Sequence, residues 1–168
     1  MRAAILTLAA LSLTAPLAAQ TLRPTLPEGW AFGASVGRFS LEGEHYLETT
    51  LHITRLQPGR FTPEFDVGFY PQFLKSGLLL TPDLGLAYNL ALPGATLLLK
   101  GGASGIFAFG DGAAALPGFH GGAALLIPVV PGFGLRLEGL YRGFFAPSGE
   151  GPFNTLALSI GITSLPKR

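Results

Sequence analysis

From Trp30 onward, apolar residues return at every second position through stretches of about ten to fourteen residues, the period of a strand with two unlike faces. The last stretch is the cleanest. Leu156, Leu158, Ile160 and Ile162 face one way, and Ala157, Ser159, Gly161 and Thr163 face the other. In the preceding one, Phe133, Leu135, Leu137, Gly139 and Tyr141 oppose Gly134, Arg136, Glu138, Leu140 and Arg142. The pattern predicts eight strands, over 30–39, 45–56, 60–70, 78–92, 95–109, 119–129, 133–145 and 153–163. Their connections alternate between short and longer. Three short ones hold Pro58-Gly59, Pro93-Gly94 and Pro131-Gly132, pairs suited to tight turns because proline presets φ and glycine accepts a positive one. The repeating unit is therefore a β-hairpin. A fourth pair, Pro117-Gly118, falls out of phase and is assigned to a longer loop, "GDGAAALPG".

Alternation alone suits a soluble sandwich or a ligand-binding barrel as well, and charge supply separates the cases. Charged residues are 12% of the chain, whereas a solvated surface carries about a quarter to a third. The non-apolar faces are built mostly from Gly, Ala, Ser and Thr. Aromatic residues gather at segment ends: Trp30, Phe61 and Phe133 beside the Pro-Gly turns, and Phe69, Phe107, Phe109, Phe119, Phe144, Phe145 and Phe153 toward the longer loops. Aromatic girdles flanking a lipid-facing band have this distribution. Strands in lipid must close on themselves, since no backbone edge is left unpaired there. The expected fold is all-β: an eight-stranded antiparallel up-and-down transmembrane β-barrel, with the Pro-Gly turns on the periplasmic side.

The N-terminus fits this location. "MRAAILTLAALSLTAPLAAQ" has one cation, Arg2, an apolar run and small residues at its end, the pattern of a secretory signal peptide. Residues 1–19 are expected to be the signal, 20–29 a lead-in, and 30–168 the outer-membrane barrel of a Gram-negative-type bacterium. The chain has no cysteine, which excludes disulfides, thiol catalysis and lipoprotein anchoring. A net charge of +1 gives no case for nucleic acid.

With "WAFGASVGRF" opening the first strand, Gly-rich alternating strands after it, and short turns alternating with longer loops, the chain resembles the small eight-stranded outer-membrane barrels of the OmpA transmembrane-domain and OmpX-like group. The resemblance implies outer-membrane lipid as its surroundings and the barrel-assembly machinery as a partner during biogenesis. Members usually end on an aromatic residue, whereas this chain ends "ITSLPKR", with Leu165 its last apolar residue.

The inward faces hold the candidate chemistry: Glu48, His52, Glu64, Asp66, Asp83, Lys100, Arg136, Glu138 and Arg142. Buried charge is costly unless paired, so these nine are expected to form a lumenal polar network that fills the barrel. His120, in "GFHGG", is read as an interfacial or lumenal histidine, and the histidines lack metal-type spacing. No catalytic set, cofactor motif or metal site is expected. The favoured function is non-enzymatic: a structural, envelope-stabilising or surface-interaction role. The alternative is a narrow passage for ions or small apolar ligands, and remoter ones are a lipid-modifying barrel enzyme and a secreted soluble ligand-binding barrel.

Overall fold

A computed structural model describes residues 28–41, 43–74, 77–110, 113–145 and 153–166. The expected signal peptide lies outside these residues, as does the "APSGEGP" loop. Eight strands follow in chain order: β1 (Gly29–Leu41), β2 (Glu44–Leu56), β3 (Phe61–Phe69), β4 (Leu78–Leu92), β5 (Ala95–Phe109), β6 (Ala113–Val130), β7 (Phe133–Phe144) and β8 (Phe153–Ser164). Each pairs antiparallel with its sequence neighbours, and β1 closes on β8. Closure leaves no strand without two partners along the middle of the wall, which is what a sheet in lipid requires.

The period-two pattern becomes the inside and outside of this wall. On β2, Glu48, Thr50, His52, Thr54 and Leu56 are buried, while Leu47, Leu51, Ile53 and Arg55 are exposed. On β8 the exposed set is Asn154, at the loop end, and then Leu156, Leu158, Ile160 and Ile162, an apolar outer stripe. The three Pro-Gly turns share one geometry. Gly59, Gly94 and Gly132 have φ of +72°, +74° and +85°. In the first, the Arg60 N–H donates to the Gln57 carbonyl at 3.2 Å, closing a turn with proline second and glycine third.

Pro117-Gly118 departs from expectation. It lies inside β6, where Pro117 pairs with Gly105, and the expected nine-residue loop shrinks accordingly. Proline is tolerated there because β6 outruns its other neighbour: pairing with β7 stops at Gly118–Phe144. The Pro117 carbonyl still accepts from the Phe145 N–H at 2.9 Å. The ring nitrogen on that same side has no N–H to return the bond, so the β6–β7 ladder ends at this proline.

Side chains fill the interior in three layers. At the turn end, Ala31, Leu56, Ala87, Leu98, Ala124, Leu126 and Leu165 form a buried apolar cluster. Leu165 belongs to it because the chain tucks in after β8, its N–H donating to the Gly132 carbonyl at 2.8 Å. At the loop end, Phe39, Tyr70, Leu140 and Ala157 form a second cluster, with Leu41, Tyr46, Phe73 and Leu79 packed against it. The charged residues lie between the two. Asn89, fully buried, ties the β2–β3 turn to the turn-end layer: its amide accepts from the Gln57 N–H and donates to the Thr62 hydroxyl at 2.7 Å.

A wall this narrow bends sharply where strands lack side chains. Gly85 on β4 faces Gly102 on β5, and a Cβ at Gly102 would strike the backbone of Leu84 and Gly85. The obstacle is main chain, which cannot rotate aside. Gly102→Val is expected to destabilise the barrel by about 1–3 kcal/mol, the usual cost of overpacking. Loss of the compact, fast-migrating band on unheated gels would report it, and unchanged migration and urea midpoint would contradict it.

Candidate functional site: the lumenal charge network

All nine of the expected inward residues are buried inside the wall, each at most 8% exposed. Their positions follow from strand register. His52 is the Cα partner of Asp66, Asp66 of Asp83, Asp83 of Ser104, and His120 of Arg142. Charged residues on β2, β3, β4, β5 and β7 thereby share one belt of the lumen. They sort into two clusters.

The cluster nearer the turns contains Lys100, Arg136, Glu64, Asp66, Glu138 and His52. The Lys100 ammonium touches three carboxylates: Glu64 at 3.1 Å, Glu138 at 3.1 Å, and Asp66. The Arg136 guanidinium donates through Nε to Glu138 at 2.7 Å and through Nη2 to Glu64 at 2.5 Å. His52 completes the group. Its Nδ1 lies 2.8 Å from Asp66 Oδ1 and its Nε2 lies 2.8 Å from the Ser35 hydroxyl. Ligand-type atoms of His52, Glu64, Asp66 and Glu138 fall within 4.8 Å of one another, spacing that suits a bound cation. The lysine ammonium supplies the positive charge at that point.

The cluster nearer the loops is built on Arg142. Its Nη2 reaches Asp83 Oδ2 at 2.8 Å, its Nε donates to the same oxygen at 2.9 Å, and its Nη1 lies 3.0 Å from Glu48 Oε1. That Glu48 oxygen also accepts from the Tyr70 hydroxyl at 3.0 Å. The Ser104 hydroxyl donates to Asp83. His120 Nδ1 stands 3.1 Å from Ser104 Oγ and 3.2 Å from the Ala103 carbonyl, an acceptor that calls for a proton on this nitrogen. Its distance to Asp83 Oδ1 is 3.7 Å.

Ser35, Tyr70, Thr81 and Ser104, none of them expected in the network, hydrogen-bond into it, and His120, expected to be interfacial or lumenal, is buried in the lumen. Parity was the available signal, since Tyr70 is in step with Asp66 and Gly68, and Ser104 with Lys100. The same parity corrects two expected girdle residues. Phe144, in step with Arg142, is wholly buried and packs on Phe153 with ring centroids 5.3 Å apart. Phe153 is half-buried and in step with the inward Thr155 and Ala157. Both serve the loop-end layer. Trp30, Phe61, Phe107, Phe109, Phe119, Phe133 and Phe145 are exposed on the outside, and Phe69 is partly so.

Among the described residues an apolar cluster lies on each side of the network, and its charged side chains are buried. Removing one partner of such a group strands the other as an uncompensated buried charge, at about 3–5 kcal/mol. Arg136→Ala, which leaves Glu64, Asp66 and Glu138 to share Lys100, is expected to cost about that much. Urea unfolding in lipid vesicles and heat resistance in detergent measure it, and unchanged heat resistance would count against the network's role.

No protein-family model matches the chain, and no curated protein matches it. Solved structures do. The Neisserial surface protein A is 13% identical, with 80% of this chain and 94% of that one covered at a TM-score of 0.58. The N-terminal β-barrel domain of Pseudomonas aeruginosa OprF is 12% identical, with 82% and 99% covered at 0.55. The outer-membrane enzyme PagL is 16% identical, with 80% and 98% covered at 0.51. The fold of this chain is that of the small eight-stranded outer-membrane β-barrels.

Proposed function

We propose that the chain is an integral outer-membrane protein of a Gram-negative-type bacterium, secreted by a signal peptide cleaved near Ala19, with a non-enzymatic structural or envelope-stabilising role. The observation that carries this reading is the filled interior. A belt of mutually paired charges is sealed by an apolar layer at the turn end and an aromatic one at the loop end. Outside, the wall presents an apolar band. Its exposed large residues include Val36, Leu51, Leu84, Leu99, Leu137 and Ile160, a surface suited to acyl chains.

The filled lumen weighs against a passage. A conducting pore needs a continuous wet path, and among the described residues packed apolar side chains occupy the lumen on both sides of the charged belt. One fold hosts both enzymes and non-enzymes, so the enzyme alternative turns on the side chains present. Three serine–histidine contacts occur among the described residues. Ser35, His52 and Asp66 are connected in the order of a hydrolytic triad, but all three are buried in the lumen, away from any substrate in lipid or water. Ser104, His120 and Asp83 lie sealed in the lumen, and Ser104 contacts both partners through its one hydroxyl instead of leaving histidine as the relay. At the outer rim, Ser40 Oγ lies 2.7 Å from His45 Nδ1. Among the described residues no carboxylate bonds the other His45 nitrogen to orient it, as a hydrolytic triad requires. A shallow depression in the outer wall, lined by Val36, Gly37, Leu137, Gly139, Leu158 and Ser159 among others, has no histidine in its lining.

Two measurements test the reading. The full chain is expected to fractionate with outer membranes, to require detergent for release, and to migrate faster on gels before heating than after. In planar bilayers at neutral pH it is expected to show no stable conductance. Reproducible channels from the unaltered protein would overturn the structural role in favour of a passage, and release into the periplasmic supernatant without detergent would overturn the membrane location.

A further inference from the structure

Among the described residues, the outward faces of the strands carry only two fixed charges, Arg38 and Arg55. Arg55 lies at the turn rim opposite Trp30, a level where arginine and tryptophan both meet headgroups. Arg38 lies deeper. Three residues, roughly 10 Å of strand, separate it from Leu41 at the loop end of β1. Its Cα partners are Leu47 on β2 and Leu158 on β8, both exposed, and the outward residue on its turn side is Val36. A guanidinium placed here has acyl chains around it. The acidic residues do not reach it: Glu48, Glu64, Asp66, Asp83 and Glu138 are buried in the lumen, and Glu44 is in step with Glu48. A long cationic side chain so placed turns toward the nearer interface and takes its counter-charge there.

Two further features meet at this spot. On the loop side, the next outward residue of β1 is Ser40, and its Oγ lies 2.7 Å from Nδ1 of His45, its Cα partner on β2. On the turn side is the shallow depression in the outer wall, with Val36, Leu137, Leu158 and Ile160 as apolar walls. It opens where Gly139, between the outward Leu137 and Tyr141, has no side chain. A Cβ at Gly139 would meet only Leu158, at an ordinary 3.5 Å. Gly139 is the Cα partner of Leu158, and Leu158 of Arg38, so the depression and the guanidinium flank one leucine.

We propose that this face of the barrel, from β7 to β2, holds one anionic phospholipid of the loop-side leaflet, a reading that rests on the outer-membrane location. Its phosphate pairs with Arg38, beside Ser40 and His45, and one acyl chain lies in the depression. Charge complementarity selects this occupant. Guanidinium groups make their strongest pairs with phosphate and carboxylate oxygens. A second copy of the chain brings no carboxylate on the outward faces of its described strands. A zwitterionic lipid carries an ammonium that offsets part of the attraction. One basic residue facing an anionic headgroup corresponds to roughly a fivefold preference for that lipid.

The test inserts the full chain into vesicles of equal phosphatidylglycerol and phosphatidylcholine, extracts it in mild detergent, and counts retained lipids by native mass spectrometry. The unaltered protein is expected to retain phosphatidylglycerol over phosphatidylcholine by roughly fivefold. Arg38→Gln should abolish the preference, whereas Arg55→Gln, at the other rim, should keep it. Gly139→Leu fills the depression from the lipid side and should lower retention of both lipids. Equal retention by the unaltered protein would overturn the proposal, as would a preference that Arg55→Gln lowers as much as Arg38→Gln. Retention unchanged by Gly139→Leu would overturn the acyl-chain seat. Dimer masses without lipid would give the face to a second copy instead. If a variant fails to insert, the preference of the unaltered protein decides alone. Insertion into phosphatidylcholine vesicles is measured in parallel: protein left in the supernatant refutes the membrane location, and protein that inserts without lipid preference refutes this site only.

Discussion

Charges enclosed by a closed wall and capped at both ends have only one another for solvation, and this requirement organises the molecule. It is visible first in the register. β3 and β4 pair so that Asp66 stands directly opposite Asp83, two like charges on one face, an arrangement unfavourable by itself. The structure resolves it by sending the two carboxylates apart. Asp66 takes Lys100 and His52, while Asp83 takes Arg142 and Ser104. The division of the lumen into two clusters follows from that single repulsion. Every cation in the belt then bridges at least two acids, because each has to serve both its own strand's neighbours and the far wall.

The same requirement explains where the apolar interior residues stand. An eight-stranded barrel is just wide enough for its own side chains. Placed at the two ends, small and aromatic residues seal the belt from water, which strengthens each ion pair inside it. The lumen is thereby filled with side chains that are paired or packed. Closure here results from packing, so a conformational change that opened the barrel would have to break the ion pairs and displace a layer at once. That is why the geometry supports an envelope component better than a gated passage.

Much of this was legible in the chain, for one physical reason. Period-two alternation reports which face a residue takes, and on β7 the run from Leu135 to Arg142 leaves little doubt that Arg136, Glu138 and Arg142 point the other way from Leu137 and Tyr141. Partnership was not legible. Arg136 meets Glu64, 72 positions away, only because the barrel closes, and no local pattern encodes that distance. Aromatic residues at strand ends were ambiguous for a different reason: the same ring serves a girdle outside or a plug inside. Phe144 and Tyr70 are plugs, and strict parity with Arg142 and Asp66 was the evidence available. Pro117 misled because a turn residue in sequence can be a strand residue wherever the neighbouring strand has stopped.

An all-apolar lumen would fill the same space, and replacing buried ion pairs by well-packed hydrophobic residues is often neutral or stabilising. What charges add here is discrimination between registers. A one-residue slip of a strand exchanges its two faces, and a strand apolar on both faces would lose little by slipping in lipid. With Arg136 and Arg142 on β7, the slipped strand would present two guanidinium groups to the acyl chains, at about 2–4 kcal/mol for one near the midplane. It would also strand their carboxylate partners inside. The alternating strands of β2, β3, β5 and β7 each carry charge on one face of the belt, so each resists slipping individually. β8 has no charged residue, and its register is held by its neighbours: Glu138 faces Ser159 on one side and Gly37 faces it on the other. The wall therefore needs few charged strands to fix all eight, provided that each uncharged one pairs with a strand already placed: β8 with β7, and β1, which has no charge facing the lumen, with β2.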